Sequence, residues 1–201
     1  ATRVTVGDLG VDEEVDRVLS STEDLEIGLF AGSAGFGTSG PFLGNELEAE
    51  LGMLDVNCRA VVTMTHHYGR RFKAQGHGGL ILLSSLLAFQ GTPRASHYAA
   101  TKAFIQTLAE GLALELRPHG VDVLASAPGP VSSGFAARAN MEMGNALTPT
   151  VVASQTANAL GRRTTVRPGW LSKLLEWSLS TLPRVFRSRV VGKVMLGMTK
   201  H

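Results

Sequence analysis

The residues best suited to chemistry fall in one stretch, residues 84–102. An apolar run ending at Leu83 meets two hydroxyls, Ser84 and Ser85, and a tyrosine and a lysine, Tyr98 and Lys102, follow four residues apart in a helix-prone segment. Residues i and i+4 share one helix face with Cβ atoms about 5 to 6 Å apart, which brings an ammonium within reach of a phenol. A nearby cation favours phenolate, so the tyrosine pKa is expected to fall from about 10 toward the working pH, where proton transfer runs efficiently in either direction. Ser85, at a strand end, would polarise a substrate carbonyl beside that phenol. Each part also has a plain structural reading: packing for the tyrosine, a turn or helix cap for the serine. Their order, with Asn57 upstream and Pro128-Gly129 after the next apolar strand, favours the chemical reading. His97 competes as acid or base, since imidazole titrates near 6.5, but adjacent side chains at a helix start point apart.

These groups need a scaffold, and the chain alternates strand and helix patterns. Residues 3–6 alternate β-branched and polar types before Gly7-Asp8-Leu9, predicting a short strand. Residues 12–19 read as an amphipathic helix, and residues 25–31 as an apolar strand buried on both faces of a parallel sheet. Asn45 is placed to cap a helix over 46–74, either continuous or with a break, with Leu47, Leu51, Leu54 and Val61 as its apolar stripe and Asn57 inside it. A second long helix is expected over 95–116, a strand over 121–127, a helix started by Thr148-Pro149 and reaching Leu160, and a last strand over 164–167. Apolar residues from Trp170 to Leu182 and from Val185 to Met195, either side of Pro183, suggest two amphipathic helices with Arg and Lys interspersed. The fold class is therefore α/β, a doubly wound parallel sheet.

Composition narrows the setting. The chain has 201 residues and is 44% hydrophobic, enough for one domain over 1–201 with a sizeable core. Its single cysteine, Cys58, excludes an internal disulfide and suits a reducing compartment. Charge is uneven: residues 1–160 hold 10 Lys+Arg and 16 Asp+Glu, a net −6, whereas residues 161–201 hold 9 and 1, a net +8. Residues 168–201 thus form a basic amphipathic extension, whose readings are a solvated face packed in the ordinary way, a cover over a pocket, a subunit contact or a peripheral membrane contact. A nucleic-acid role is not expected. No apolar run is long enough to span a bilayer, and a cytoplasmic protein is expected. His66-His67 lacks further ligands at metal spacing, so no metal site is expected.

Ala34-Gly35 after a strand, Asn57 in a helix, Ser85, Tyr98-Ala99-Ala100-Thr101-Lys102 and Pro128-Gly129-Pro130-Val131 together resemble the short-chain dehydrogenase/reductase family over nearly all of residues 1–135. The resemblance implies a Rossmann-like sheet of order 3-2-1-4-5-6-7. Family members open with a glycine-rich turn, Thr-Gly-x-x-x-Gly-x-Gly, which this sequence does not contain, so the chain is expected to be a fragment lacking the first two strands. It further implies interconversion of a carbonyl and an alcohol using NADP or NAD, with Tyr98 as acid/base, Ser85 beside it, Lys102 tuning it and binding ribose, and Asn57 holding a relay water. Asp8 and Leu9 would meet adenine. Gly32 and Ala34, in Gly32-Ser33-Ala34-Gly35 where relatives have Asn-Asn-Ala-Gly, would approach the cofactor. Pro128, Gly129 and the Val131 backbone would meet the nicotinamide, with Ser133 near the pyrophosphate. Residues 135–147 correspond to a mobile substrate lid, the substrate would be a small, hydrophobic molecule, and the two long helices would pair subunits into a homodimer or homotetramer. The alternative is a non-catalytic scaffold or dimerisation module with impaired cofactor binding, motivated by the altered motif and the absent turn.

Overall fold

The computed structural model describes residues 2–142, 144, 146–169 and 183–199. Four apolar runs pair in parallel as β1 (Leu29–Gly32), β2 (Gly78–Leu83), β3 (Val121–Ser126) and β4 (Thr165–Val166), in that spatial order. Phe30 lies opposite Leu80, Leu80 opposite Val123, and Ala125 opposite Thr165. α1 (Asp12–Ser20) precedes β1; the crossovers that parallel neighbours require are supplied by α2 (Leu47–Leu54) and α3 (Val61–Gln75), by α4 (Ser96–Leu116), and by α5 (Phe135–Arg138) and α6 (Pro149–Ala157), and α7 (Arg184–Met198) follows β4.

Side-chain alternation along β2 divides the core into two layers. Leu80 and Leu82 face α3 and α4 and pack with Val123, Tyr68, Phe72, Ile105 and Ala109. Ile81 faces the other way and packs with Leu124, Ala159 and Val166. Two glycines bring β2 and β3 in side by side. Gly76 (φ 76°) and Gly120 (φ 73°) both end helical segments in the left-handed conformation. A Cβ on Gly120 would overlap the Gly76 carbonyl oxygen, so only glycine fits there.

Several sequence expectations are corrected. Residues 3–6 form no strand. No described strand lies beside them, and they are tied instead to the end of α1: Arg3 pairs with Asp24, and Thr5 hydrogen-bonds Ser21. The strand expected over 25–31 is β1, four residues long and at the sheet edge. Only Phe30 is buried, while Leu29 and Ala31 are exposed. The helix expected over 46–74 begins at Leu47, and of the two forms the sequence allowed it takes the broken one, with a π-helical turn at Asp55–Ala60. Asn45 does not cap it; its amide donates to Glu50 instead. The expected apolar stripe is inverted, because Leu47, Leu51 and Leu54 face outward and only Val61 is buried. Thr148 does cap α6, accepting from the Val151 N–H with Pro149 at the first position, but α6 ends at Ala157. The helix expected between Trp170 and Leu182 lies outside the described residues.

Candidate active site

β2 ends in Ser84-Ser85, and each hydroxyl has a structural partner. Ser84 donates to the Lys102 carbonyl at 3.0 Å, fastening the first turns of α4 to the carboxyl end of β2. Ser85 is extended and accepts from the Leu87 N–H at 3.2 Å, starting the 3-10 turn Leu86–Phe89. α4 begins at Ser96, so Tyr98 and Lys102 stand on its first two turns, above that strand end. A parallel sheet with helices on both faces offers its ligand crevice there.

The electrostatics differ from the sequence expectation. Lys102 is buried, and its ammonium donates to the Leu83 carbonyl at 2.8 Å instead of to the phenol. It lies 5.8 Å from the Tyr98 ring centroid. Burial lowers the Lys102 pKa from 10.5 to about 8, only partly opposed by Cys58. Burial likewise dominates at Tyr98 and pushes the phenol up to about 12, opposed by a hydrogen bond from Ser85. The expected fall in the tyrosine pKa is therefore reversed: loss of solvation outweighs a cation whose hydrogen bond goes to backbone.

Asn57 is fully buried and holds the loop after β1. Its Oδ1 accepts from the Phe36 N–H at 3.0 Å, while Nδ2 donates to the Phe36 carbonyl at 2.9 Å and to Thr101 Oγ1 at 3.1 Å. The π-helical turn places this amide against a backbone that would otherwise lack partners. Gly35 fits between, since a Cβ there would lie 2.8 Å from Asn57 Oδ1 and 3.3 Å from Lys102 Nζ.

Sequence reasoning missed a second cluster. Glu50, buried on α2, pairs with His97 Nδ1 at 2.5 Å and accepts from Asn45 Nδ2 at 2.7 Å. Burial pushes the Glu50 carboxyl up, but hydrogen bonds from His97, Thr38 and Asn45 prevail and hold it below its ordinary value. The cluster ties the loop before α2 to the residue preceding Tyr98. Glu46, Glu48 and Glu50 alternate in sequence and look equivalent. Only the turn that brings α4 beside α2 singles out the third.

A cavity of about 1170 Å³ opens at this strand end. Of the residues singled out in the sequence, Ser85, Tyr98, Lys102, Pro128, Gly129, Val131 and Ser133 line it. Gly32, Ala34 and Asn57 do not line it, although Asn57 supports the loop that does. Asp8 and Leu9 lie away from it: Asp8 accepts from the Gly10 N–H at 2.9 Å to close the turn into α1, and Leu9 packs on the core. The far wall is apolar and comes largely from α7, through Val190, Val191, Val194, Met195 and Met198.

The sequence profile described as short chain dehydrogenase matches residues 3–144. The chain belongs to the short-chain dehydrogenase family. Among curated relatives of this dehydrogenase-family chain, the 7beta-hydroxysteroid dehydrogenase of Clostridium sardiniense is 31% identical over 122 residues, covering 61% of this chain and 47% of the relative. The uncharacterized oxidoreductase YbbO of Escherichia coli K12 is 25% identical over 198 residues, covering 93% and 73%. The chain thus aligns with about half the length of the hydroxysteroid dehydrogenases it matches. A solved structure from work on 7beta-hydroxysteroid dehydrogenase stereoselectivity superposes with TM-score 0.83 at 28% identity, over 95% of this chain and 76% of the other. A short-chain dehydrogenase from Sphingobium yanoikuyae in complex with NADPH superposes with TM-score 0.78 at 23% identity, over 92% and 77%, a likeness of fold.

Proposed function

We propose that the chain carries the catalytic residues of an NAD(P)-dependent oxidoreductase that interconverts a carbonyl and an alcohol on a bulky apolar substrate. The observation that carries this reading is the meeting of Ser85, Tyr98 and Lys102 at one wall of a large, mostly apolar cavity. Structural neighbours in complex with NADPH and NADP support the choice of cofactor class.

The residues present fit the nicotinamide and ribose half of a dinucleotide. Gly35 leaves an opening beside the Lys102 ammonium that any Cβ would fill, and Pro128, Gly129 and Val131 form an adjoining wall. Lys102 would hold ribose hydroxyls and the Val131 backbone a carboxamide. When bound, the dinucleotide supplies or accepts the hydride. The chain's own part is proton handling. Ser85 donates a hydrogen bond to the substrate oxygen and fixes it beside the phenol. Tyr98, with its pKa near 12, retains its proton at neutral pH. It is nonetheless a far stronger acid than an alcohol, so it can protonate an oxygen that gains alkoxide character. The apolar walls exclude water and bind a bulky substrate body.

Nicotinamide fluorescence on titration with NADPH and NADH, followed by turnover of bulky ketones, tests the reading. Saturable binding is expected, with Tyr98→Phe keeping it while losing roughly 10²- to 10⁴-fold in turnover. A Tyr98→Phe protein that turned over normally would remove Tyr98 from its role. The altered Gly32-Ser33-Ala34-Gly35 motif favours a second reading, a scaffold or dimerisation module. No saturable binding of either nucleotide would select that second reading.

A further inference from the structure

α7 has two different faces. Its inner face lines the cavity through Met195 and seats Gly192 against Pro93, where an added Cβ would come within 3.0 Å of the ring. Its end is fastened by Arg94 Nε donating to Thr199 Oγ1 at 2.6 Å and by the Glu142 N–H donating to the Met198 carbonyl at 2.8 Å. A helix that only covers a core turns a polar face to solvent. Here the outer face carries an apolar ridge instead. Phe186, Val190 and Val194 stand at i, i+4 and i+8 and are 52%, 44% and 55% exposed. Arg189 and Lys193, also four apart and exposed, form a parallel basic ridge beside it, and the Arg189 guanidinium lies 5.6 Å from the Phe186 ring. No acidic residue occurs between Pro183 and Thr199.

The position of the ridge identifies its occupant. Val190 and Val194 are both exposed and cavity-lining, so the apolar ridge is also part of the cavity's rim. A protein seated on the ridge would cover that rim, whereas a lipid surface would feed it. We propose that α7 lies in the plane of an anionic bilayer surface, with Phe186, Val190 and Val194 at the acyl boundary and Arg189 and Lys193 among the headgroup phosphates. The mouth of the cavity then opens on the membrane, and a lipid-dissolved substrate enters without crossing water. The contact is peripheral, because no described helix is long and apolar enough to cross a membrane. Parallel apolar and basic ridges are the composition of helices that bind in this way. The substrate route rests on the oxidoreductase reading; the docking itself does not.

Co-sedimentation of the full chain with vesicles is read without cofactor or substrate, so its failure is distinct from failure of that reading. Binding is expected to mixed phosphatidylglycerol and phosphatidylcholine vesicles, to weaken as salt rises, and to be nearly absent with phosphatidylcholine alone. Combined Arg189→Gln and Lys193→Gln should weaken partitioning roughly 30-fold, at about fivefold per cation. Phe186→Asp should abolish it while the circular dichroism melt stays unchanged. The salt response of the unsubstituted chain needs no variant, so a misfolded variant leaves the test intact. No binding to anionic vesicles overturns the proposal. So does binding that ignores salt and lipid charge, or loss of self-association in Phe186→Asp without any vesicle binding in the parent chain.

Discussion

Lys102 is where burial and function oppose each other. Its ammonium is held by one backbone carbonyl, and its folded pKa is about 8 against 10.5 in the unfolded chain. Between those values the unfolded chain binds more protons, so stability rises with pH across that window. The penalty is fully present below about 8 and is relieved toward 10.5, by about 1.4 kcal/mol for each pH unit between them. Thermal melts of the parent and of Lys102→Met across this range should therefore show the parent gaining stability relative to the variant. Parallel curves would mean that the lysine is not desolvated. Glu50 behaves in the opposite sense. Its carboxyl is held below 4.5, so its stabilisation is present above that value and is lost as pH falls through the lower folded one. Glu50→Gln removes the carboxylate partner of His97, next to Tyr98, and should cost about 1–3 kcal/mol in urea unfolding near neutral pH. Because His97 lies in the first turn of α4 beside Tyr98, the same change should lower kcat more than it raises KM. An unchanged urea midpoint would show the pair to be incidental.

At the scale of elements, the long parallel strands and helices were legible because each carries its own period. α4 and β3 fall within a residue of their sequence-predicted bounds, and β2 ends at Leu83 where the apolar run does. What failed depended on neighbours. Residues 3–6 have strand propensity but no adjacent strand, and propensity without a pairing partner does not make a strand. The Leu47, Leu51 and Leu54 stripe has helical spacing, yet spacing does not say which face is inward. The π-helical turn at Asn57 has no composition signal, since it exists to bring one amide to the Phe36 backbone. Motif order singled out Ser85, Tyr98 and Lys102, which the fold brings to one cavity, but not the direction of the tyrosine shift, which is decided by burial. The loop after β1 supplies the test at this scale. Gly35→Ala places a Cβ 2.8 Å from Asn57 Oδ1, and overpacking of that kind costs about 1–3 kcal/mol. It should lower the melting midpoint and weaken nicotinamide nucleotide binding together. A shift in stability with binding intact would separate the loop from the cofactor.

For the whole molecule, the informative surface is the one formed by α2 and α4. α4 presents Ala100, Phe104, Thr107, Gly111 and Leu114, all exposed and spaced three or four apart, and the outward Leu47, Leu51 and Leu54 lie on the neighbouring α2. Leu114 is 71% exposed and Leu47 62%, values that a chain alone in water does not favour for so many aligned apolar residues. A gap at Gly111, with nothing near its Cβ position, would let a symmetry-related helix approach closely. The face suits an isologous dimer, in which this surface meets its own copy across a two-fold axis. A stable interface of this kind buries roughly 1,200 to 2,000 Å². Light scattering with size exclusion should therefore find a dimer or tetramer for the parent chain and a smaller species for Phe104→Asp with Leu114→Asp. The parent's melting midpoint should rise with protein concentration by mass action, and the variant's should not. A parent chain that stays monomeric, with a concentration-independent midpoint, would show that the outward stripe serves something other than self-association.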